Sequence, residues 1–253
     1  MQRYLLTICF DGTAYHGWQV QENAVSVQFT VQNALEKLLS YRPGLTGCSR
    51  TDSGVHANRY CCHFDADDGI PVIGIVRGMN AVLPADIRAL ECRCVPDSFH
   101  ARYSCVAKTY RYQIDQSQIQ SPFCRNFAWH FPHSLDISAM NAFCSGLVGT
   151  HDFSAFSSCK RSVLDTVRTV RECFVRRDGN NFTLQITADG FLYNMVRIVV
   201  GTAVEVGIGR RKPEEAAEIL EKKDRRLAGR TAPARGLYLN QIFYGEDIDG
   251  ELP

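Results

Sequence analysis

The chain has 253 residues, 45% of them hydrophobic and 22% charged, which allows a sizeable core in one large domain or two small ones and excludes a disordered or fibrous protein. No apolar run reaches the roughly 18 residues of a membrane span, and the stretch before Asp11-Gly12 is too short for a signal-peptide core, so neither a membrane nor a secreted role is expected. The net charge of +1 conceals a gradient: residues 1–100 carry 8 basic and 10 acidic side chains, residues 101–235 carry 20 and 13, and residues 236–253 none and 4.

Arg3–Phe10 alternates as a first strand. Ser26 stands in N-cap position before Val27, Val31, Ala34, Leu35, Leu38 and Leu39, an apolar stripe at helical spacing that must stop before Pro43-Gly44. Two short β-like runs follow at Leu45–Cys48 and Arg59–Phe64. Ile70–Val82 reads as a helix with Pro71 in its first turn, and Ile87–Val95 and Ala107–Ile114 read as strands. That β-α-β-β-α-β order is the split pattern of a ferredoxin-like unit. After the turn residues Gln116–Pro122, Asn126–Phe131 is strand-like and Asp136 caps a helix through Leu147. Val167–Arg176 and Asn181–Ala188 form a hairpin. Phe191–Val206 is an apolar helix with Gly207 as its C-cap, and Pro213-Glu214-Glu215 opens another that ends in Lys222-Lys223. Leu237–Tyr244 is a last strand. The expected architecture is α+β, two halves at 1–115 and 116–253 meeting at a cleft.

Three places carry more chemistry than folding requires. The loop Ser49-Arg50-Thr51-Asp52-Ser53-Gly54-Val55-His56-Ala57 lies between two apolar strands. As a turn it needs only Asp52 to cap the backbone and Gly54 to take a positive φ. Arg50 adds a reason for Asp52 to stay ionised while partly buried, as a nucleophile or base must. Arg197 sits within Met195-Val196-Arg197-Ile198-Val199-Val200, where a guanidinium either snorkels from a helix edge or meets an anion, Asp52 being the candidate. Arg102-Tyr103 and Lys108-Thr109-Tyr110-Arg111-Tyr112 interleave rings with cations, the composition that stacks bases and neutralises phosphates, or else a half-exposed strand packed on the core. Of the 28 basic residues 22 are Arg, whose planar fork suits phosphates. The 11 cysteines are odd in number, and neither Cys61-Cys62 nor Cys92-Arg93-Cys94 has the gap of a zinc knuckle, so they read as small apolar residues of a reduced cytoplasm and no metal is expected.

Arg50-Thr51-Asp52-Ser53-Gly54-Val55-His56-Ala57 resembles the signature loop of the TruA-type tRNA pseudouridine synthases. The resemblance runs from Phe10-Asp11-Gly12-Thr13, Tyr15 and Gly17-Trp18-Gln19 through Phe99-His100-Ala101-Arg102, Lys108–Tyr112, Gly149-Thr150-His151-Asp152-Phe153 and Phe191–Arg197 to Thr231–Leu237. Ser49 and Phe10 depart from the family's commoner Gly and Tyr. The resemblance implies a cofactor-free and metal-free isomerase that converts uridine to pseudouridine at positions 38, 39 and 40 of the tRNA anticodon stem-loop. It also implies a cytoplasmic homodimer built of two ferredoxin-like (RRM-like) halves whose antiparallel sheets meet at a central catalytic cleft. Asp52 matches the catalytic aspartate, Tyr110 the active-site tyrosine and Arg197 the arginine paired with the aspartate, while Arg50 matches the arginine that attends the displaced nucleotide. His56, Arg102 and Arg111 join Tyr110 and Arg50 as candidates for contact with the substrate. The rival readings are a non-catalytic RNA-binding protein on the same scaffold and the same isomerisation on another RNA. Substrate choice would then rest on the basic stretches Lys160–Arg177 and Arg210–Arg235.

Overall fold

The computed structural model describes residues 1–67, 69–158 and 165–245. Its compact units are Met1–Val106 with the chain from Tyr238 onward, and Ala107–Leu237. The division expected from sequence ran at 115/116, without a return of the last strand to the first unit.

The first unit runs β1 (Gln2–Phe10), α1 (Val27–Leu39), β2 (Thr46–Gly47), β3 (His56–Ala66), α2 (Val72–Val82) and β4 (Ile87–Val95). Strand β1 lies between β3 and β4 and is antiparallel to both, and β2 pairs antiparallel with β3. Burial on both faces explains why Tyr4–Ile8 is continuously buried instead of alternating. Helices α1 and α2 pack together, with α2 against β4. Elsewhere Phe99 packs edge-on against both His63 and Tyr244, and the Ala101 N–H donates to His63 Nδ1 at 3.1 Å. The Ser26 hydroxyl accepts from the Phe29 N–H, so the α1 cap is the one expected.

The second unit begins within β5 (Cys105–Asp115) and continues through β6 (Trp129–His130), α3 (Ile137–Ser145), β7 (Gly149–Asp152), β8 (Val167–Asp178), β9 (Asn181–Ala188), α4 (Met195–Gly207) and α5 (Glu215–Lys222). Strands β5, β9, β8 and β7 are neighbours in that order, each antiparallel to the next, and β6 adds a short parallel pairing at Ile114–Asp115. Strand β10 (Leu237–Tyr244) then returns to the first unit and pairs parallel with β3 at His56 and Ala57.

Several expectations need correction. The strand expected over Asn126–Phe131 shrinks to two residues, because the Phe127 and Ala128 N–H groups turn back onto the Cys124 carbonyl. Strand β7 went unseen, four residues with little apolar signal. The helix expected from Phe191 starts at Met195, since Asn194 adopts φ +61° and interrupts the helical path. Gly207 is not a C-cap: it lies in the last turn of α4, where a Cβ would meet Met140 and Leu135 at about 3.0 Å. A small residue there lets Met140 of α3 and Leu135 lie close against α4.

Helix α4 is buried almost all round, with eleven of its thirteen residues inaccessible. The two others, Arg197 and Glu205, both reach the segment that follows α5. Arg197 Nε donates to the Ala232 carbonyl at 2.7 Å, and Glu205 Oε1 accepts from the Arg230 N–H at 3.2 Å. Between them the Thr202 hydroxyl accepts from the Gly229 N–H at 2.9 Å, and Gly201 leaves room for the Arg230 carbonyl. Residues 229–232 are thus fastened along one side of the helix.

Candidate functional site

In the first unit the signature loop is shaped by glycines on a neighbouring loop. A Cβ on Gly12 would run into the Val55 carbonyl, and one on Gly17, whose φ is +82°, into the Thr51 carbonyl. The Gly54 N–H donates to the Tyr15 carbonyl at 3.2 Å, the Trp18 N–H to the Thr51 carbonyl at 3.3 Å, and the Val55 N–H to the Asp52 carbonyl at 3.2 Å. Gly54 has the positive φ expected of it, +76°. Asp52 is therefore held on a backbone tied at both ends, its side chain half-buried.

His56 is buried, stacked on Tyr238 with ring centroids 4.8 Å apart, and its Nδ1 accepts from the Gly12 N–H at 3.0 Å. With Nδ1 used as an acceptor, the Asp11 carboxylate oxygen 3.1 Å from it is a close neighbour and not a second hydrogen-bond partner. His56 anchors the end of the loop from inside the unit. A buried imidazole engaged in this way offers no open face to a substrate, so its local role is support.

Arg50 and Arg102 come together with Trp18, His100 and Tyr103 around one open hollow of about 260 Å³. Arg111 lies elsewhere, on β5, exposed and donating from Nε to Gln185 at 2.8 Å.

In the second unit Tyr110 is 6% exposed and meets Phe191 edge to face at 4.9 Å. Tyr110 and Tyr112 are buried while Arg111 is exposed, but Thr109 on the same face as Arg111 is buried too. Tyr112 donates its hydroxyl proton to the Pro233 carbonyl at 2.7 Å, and burial pushes its phenol well above the usual range. Arg197 is fixed from two sides, by the Ala232 carbonyl and by Asn194, whose Oδ1 accepts from Nη1 at 2.8 Å. The left-handed Asn194 thus starts α4 and orients the guanidinium at once. In the sequence this residue shows only as an Asn, tolerant of positive φ, directly before the apolar run.

The basic stretch Lys160–Arg177 lies partly outside the described residues; its described part continues along β8, where Arg176 sits over Phe174 at 4.7 Å. In Arg210–Arg235 much of the charge is engaged internally. Arg211 bonds Glu205 at 2.6 Å, Glu215 at 3.0 Å and the Leu227 carbonyl at 2.7 Å. Arg225 donates to the Gly229 carbonyl at 2.9 Å, and Arg230 lies over Trp129 at 4.7 Å. Among the described residues no group of three or more His, Cys, Asp or Glu side chains is placed to hold a metal ion, and no helix is long and apolar enough to cross a membrane.

Comparison with known proteins identifies the family of the chain. A family profile described as tRNA pseudouridine synthase matches residues 143–245. Proteins named tRNA pseudouridine synthase A from Thermoanaerobacter sp. (strain X514) and Acetivibrio thermocellus are each 45% identical, over 96% of this chain and 100% of their own length. One of the same name from Lacticaseibacillus casei is 40% identical with the same coverage. A solved structure of a Cbf5-Nop10-Gar1 complex aligns at 10% identity and a TM-score of 0.32 over 79% of this chain and 54% of its own, too slight a likeness to argue from. Identity at this level along essentially the whole of each relative is decisive: the chain belongs to the tRNA pseudouridine synthases, isomerases that act on tRNA.

Proposed function

We propose that this chain converts uridine to pseudouridine at positions 38, 39 and 40 of the tRNA anticodon stem-loop, with Asp52 as the reacting carboxylate. The observation that carries the assignment to Asp52 is its placement: the one carboxylate of the signature loop, half-buried, on a backbone that Gly12, Gly17 and His56 hold in a single path.

The reaction asks little else of the protein. The N1–C1′ bond breaks with its electron pair going to the uracil, whose two carbonyls spread the charge, so no strong general acid is mandatory. Asp52 either attacks C1′ or removes the C2′ proton to leave a glycal. The base turns over in place and C5 bonds to C1′, the Asp52 carboxylate leaving C1′ in the first route or returning its proton to C2′ in the second; the C5 proton then leaves and N1 takes a proton. Nothing is oxidised or reduced, in keeping with a reaction that needs neither cofactor nor metal. Tyr110, its ring braced by Phe191, would stack on the uracil and assist loss of the C5 proton. Arg197, oriented by Asn194 and Ala232, would pair with Asp52 and keep it ionised. Arg50, Arg102 and Arg111 would meet RNA, with His56 behind the loop.

The same reading takes each half as a ferredoxin-like (RRM-like) unit, the first bearing the Asp52 loop and the second Arg197 and the basic stretches, with the catalytic cleft between their sheets. Support in the first unit is the neighbour order β4, β1, β3 with β2 on β3, all antiparallel. A cytoplasmic homodimer completes the proposal, as the family resemblance implies.

The test is tritium release from C5-labelled uridine in a tRNA bearing uridine in its anticodon stem-loop, without added metal or nucleotide. Wild type is expected to release tritium, and Asp52→Ala to bind the tRNA normally and release none. Turnover by Asp52→Ala would overturn the assignment. Release from uridines outside the anticodon arm would move the substrate to another region or another RNA.

A further inference from the structure

The hollow beside Arg50 has features that the isomerisation step does not use. Tyr103 is 77% exposed, although a large aromatic ring in water is a cost that a fold normally avoids. It is also held in place. Its ring lies against His100 with centroids 4.3 Å apart, and the Arg102 guanidinium sits 5.8 Å from its centroid. His100 fixes the turn itself, because its Nδ1 accepts the N–H groups of both Arg102 and Tyr103 at 3.2 Å. The opposite wall is equally built: Trp18 stacks on Tyr60 at 4.1 Å, and Gly47 carries no Cβ that would collide with the Trp18 indole.

The charge of the lining is one-sided. Arg50 and Arg102 face the hollow with no carboxylate among its residues, and among the described residues neither guanidinium makes an ion pair. At about 260 Å³ the space falls below the ~300–1,000 Å³ of clefts for drug-sized ligands. An exposed ring beside two guanidinium groups without ion-pair partners is the combination by which single-stranded RNA is held, the ring meeting a base and the cations its phosphates. Asp52 is not among the residues that line the hollow, so a nucleotide seated here is read as a neighbour of the one whose glycosidic bond breaks.

Resting on the reading that this chain modifies tRNA, we propose that the hollow is a second nucleotide subsite. It takes one unpaired nucleotide of the bound tRNA, a neighbour of the reacting uridine, with its base stacked on Tyr103 and its phosphates on Arg50 and Arg102. His100 acts as a positioning residue for Tyr103. The subsite would register the RNA so that the correct uridine reaches Asp52.

The test pairs kinetics with crosslinking. In the tritium-release assay Tyr103→Ala is expected to raise KM for tRNA about 10-fold, the usual scale for losing one stacked base, and Tyr103→Phe to restore it. Because Tyr103 is exposed, both variants should melt at the wild-type temperature. Asp52→Asn protein irradiated with tRNA transcribed with 4-thiouridine should crosslink on the tryptic peptide of residues 103–108. A KM for Tyr103→Ala within twofold of wild type, together with no crosslink on that peptide, would overturn the subsite. Equal weakening by Tyr103→Ala and Tyr103→Phe would overturn base stacking, since the phenylalanine ring still stacks. If wild type releases no tritium, the isomerase reading fails by itself, and tRNA affinity of Tyr103→Ala against Tyr103→Phe, with the crosslink, still decides the subsite.

Discussion

Two groups of arginines, one in each unit, are used in opposite ways. In the second unit, where positive charge is densest in the sequence, Arg197, Arg211, Arg225 and Arg230 are committed to carbonyls, carboxylates and aromatic faces of their own chain, and together they fasten residues 225–232. In the first unit, whose net charge is negative, Arg50 and Arg102 stand at an open hollow without an ion-pair partner among the described residues. The difference teaches that a count of cations does not locate a polyanion site. What locates it is guanidinium groups left unspent beside exposed rings.

That contrast can be broken by substitution. The largest effect is expected at Gly201: a Cβ there would occupy the position of the Arg230 carbonyl, and the backbone of a buried helix has nowhere to move. Gly201→Ala should cost about 3 kcal/mol or more in urea unfolding, a scale reserved for overpacking of this kind. A near-wild-type midpoint would show that residues 229–232 are not fastened as described.

Arg211→Ala comes next. It leaves Glu205 and Glu215 without their shared cation in a partly buried setting and should cost about 2 kcal/mol while leaving the first unit intact. Arg50→Ala and Arg102→Ala should behave the other way. Each should stay within about 0.5 kcal/mol of wild-type stability, yet weaken tRNA binding and lower the slope of log affinity against log salt by about one. Should these variants unfold easily, or Arg211→Ala bind RNA poorly while fully stable, the contrast would be reversed.

The last contrast is in pH. His63 is pushed down to about 4, first by burial and then by Arg3 and His100, so the folded first unit resists a proton that the unfolded chain accepts at its ordinary 6.5. Stability of that unit should decline as pH falls from 6.5 towards 4, and His63→Gln should flatten the decline. In the second unit burial raises the Glu205 carboxyl, but bonds from Arg211 and the Arg230 N–H outweigh it and hold it below its ordinary 4.5. That contribution is complete above 4.5 and lost only as pH falls through the lowered value. Hydrogen exchange followed residue by residue between pH 7 and 4 separates the two profiles.

Much of this was legible in the sequence, for identifiable reasons. Ser26 capping an apolar stripe fixes α1 to the residue, and Ile87–Val95 and Leu237–Tyr244 have the expected ends because turn residues bound them. The signature loop was equally plain, being contiguous. The start of α4 was not, because a single left-handed Asn194 lies inside a run that is apolar throughout. Gly207 misled for a related reason: helix ends and close helix packing both select glycine, and only the neighbouring Met140 distinguishes them. The hollow was invisible as a site because residues 18, 50 and 100–103 meet only after folding, although all but Tyr103 belong to stretches that resemble the family.

Strand β10 makes the first unit discontinuous, since residues 238 and 239 pair with β3 and Tyr244 donates to the Ala101 carbonyl at 2.9 Å. A ribosome therefore releases β1 to β4 long before their last partner exists, and more than a hundred residues of the second unit emerge in between. Through that interval the stretch of β3 at His56 lacks the Tyr238 ring that covers it in the finished molecule. The loop bearing Asp52 leads directly into this stretch, so its final shape is set only after residues 238 and 239 have emerged. A nascent chain cut short before Tyr238 would carry Asp52 and its loop and still lack the ring that covers His56 at the loop's end.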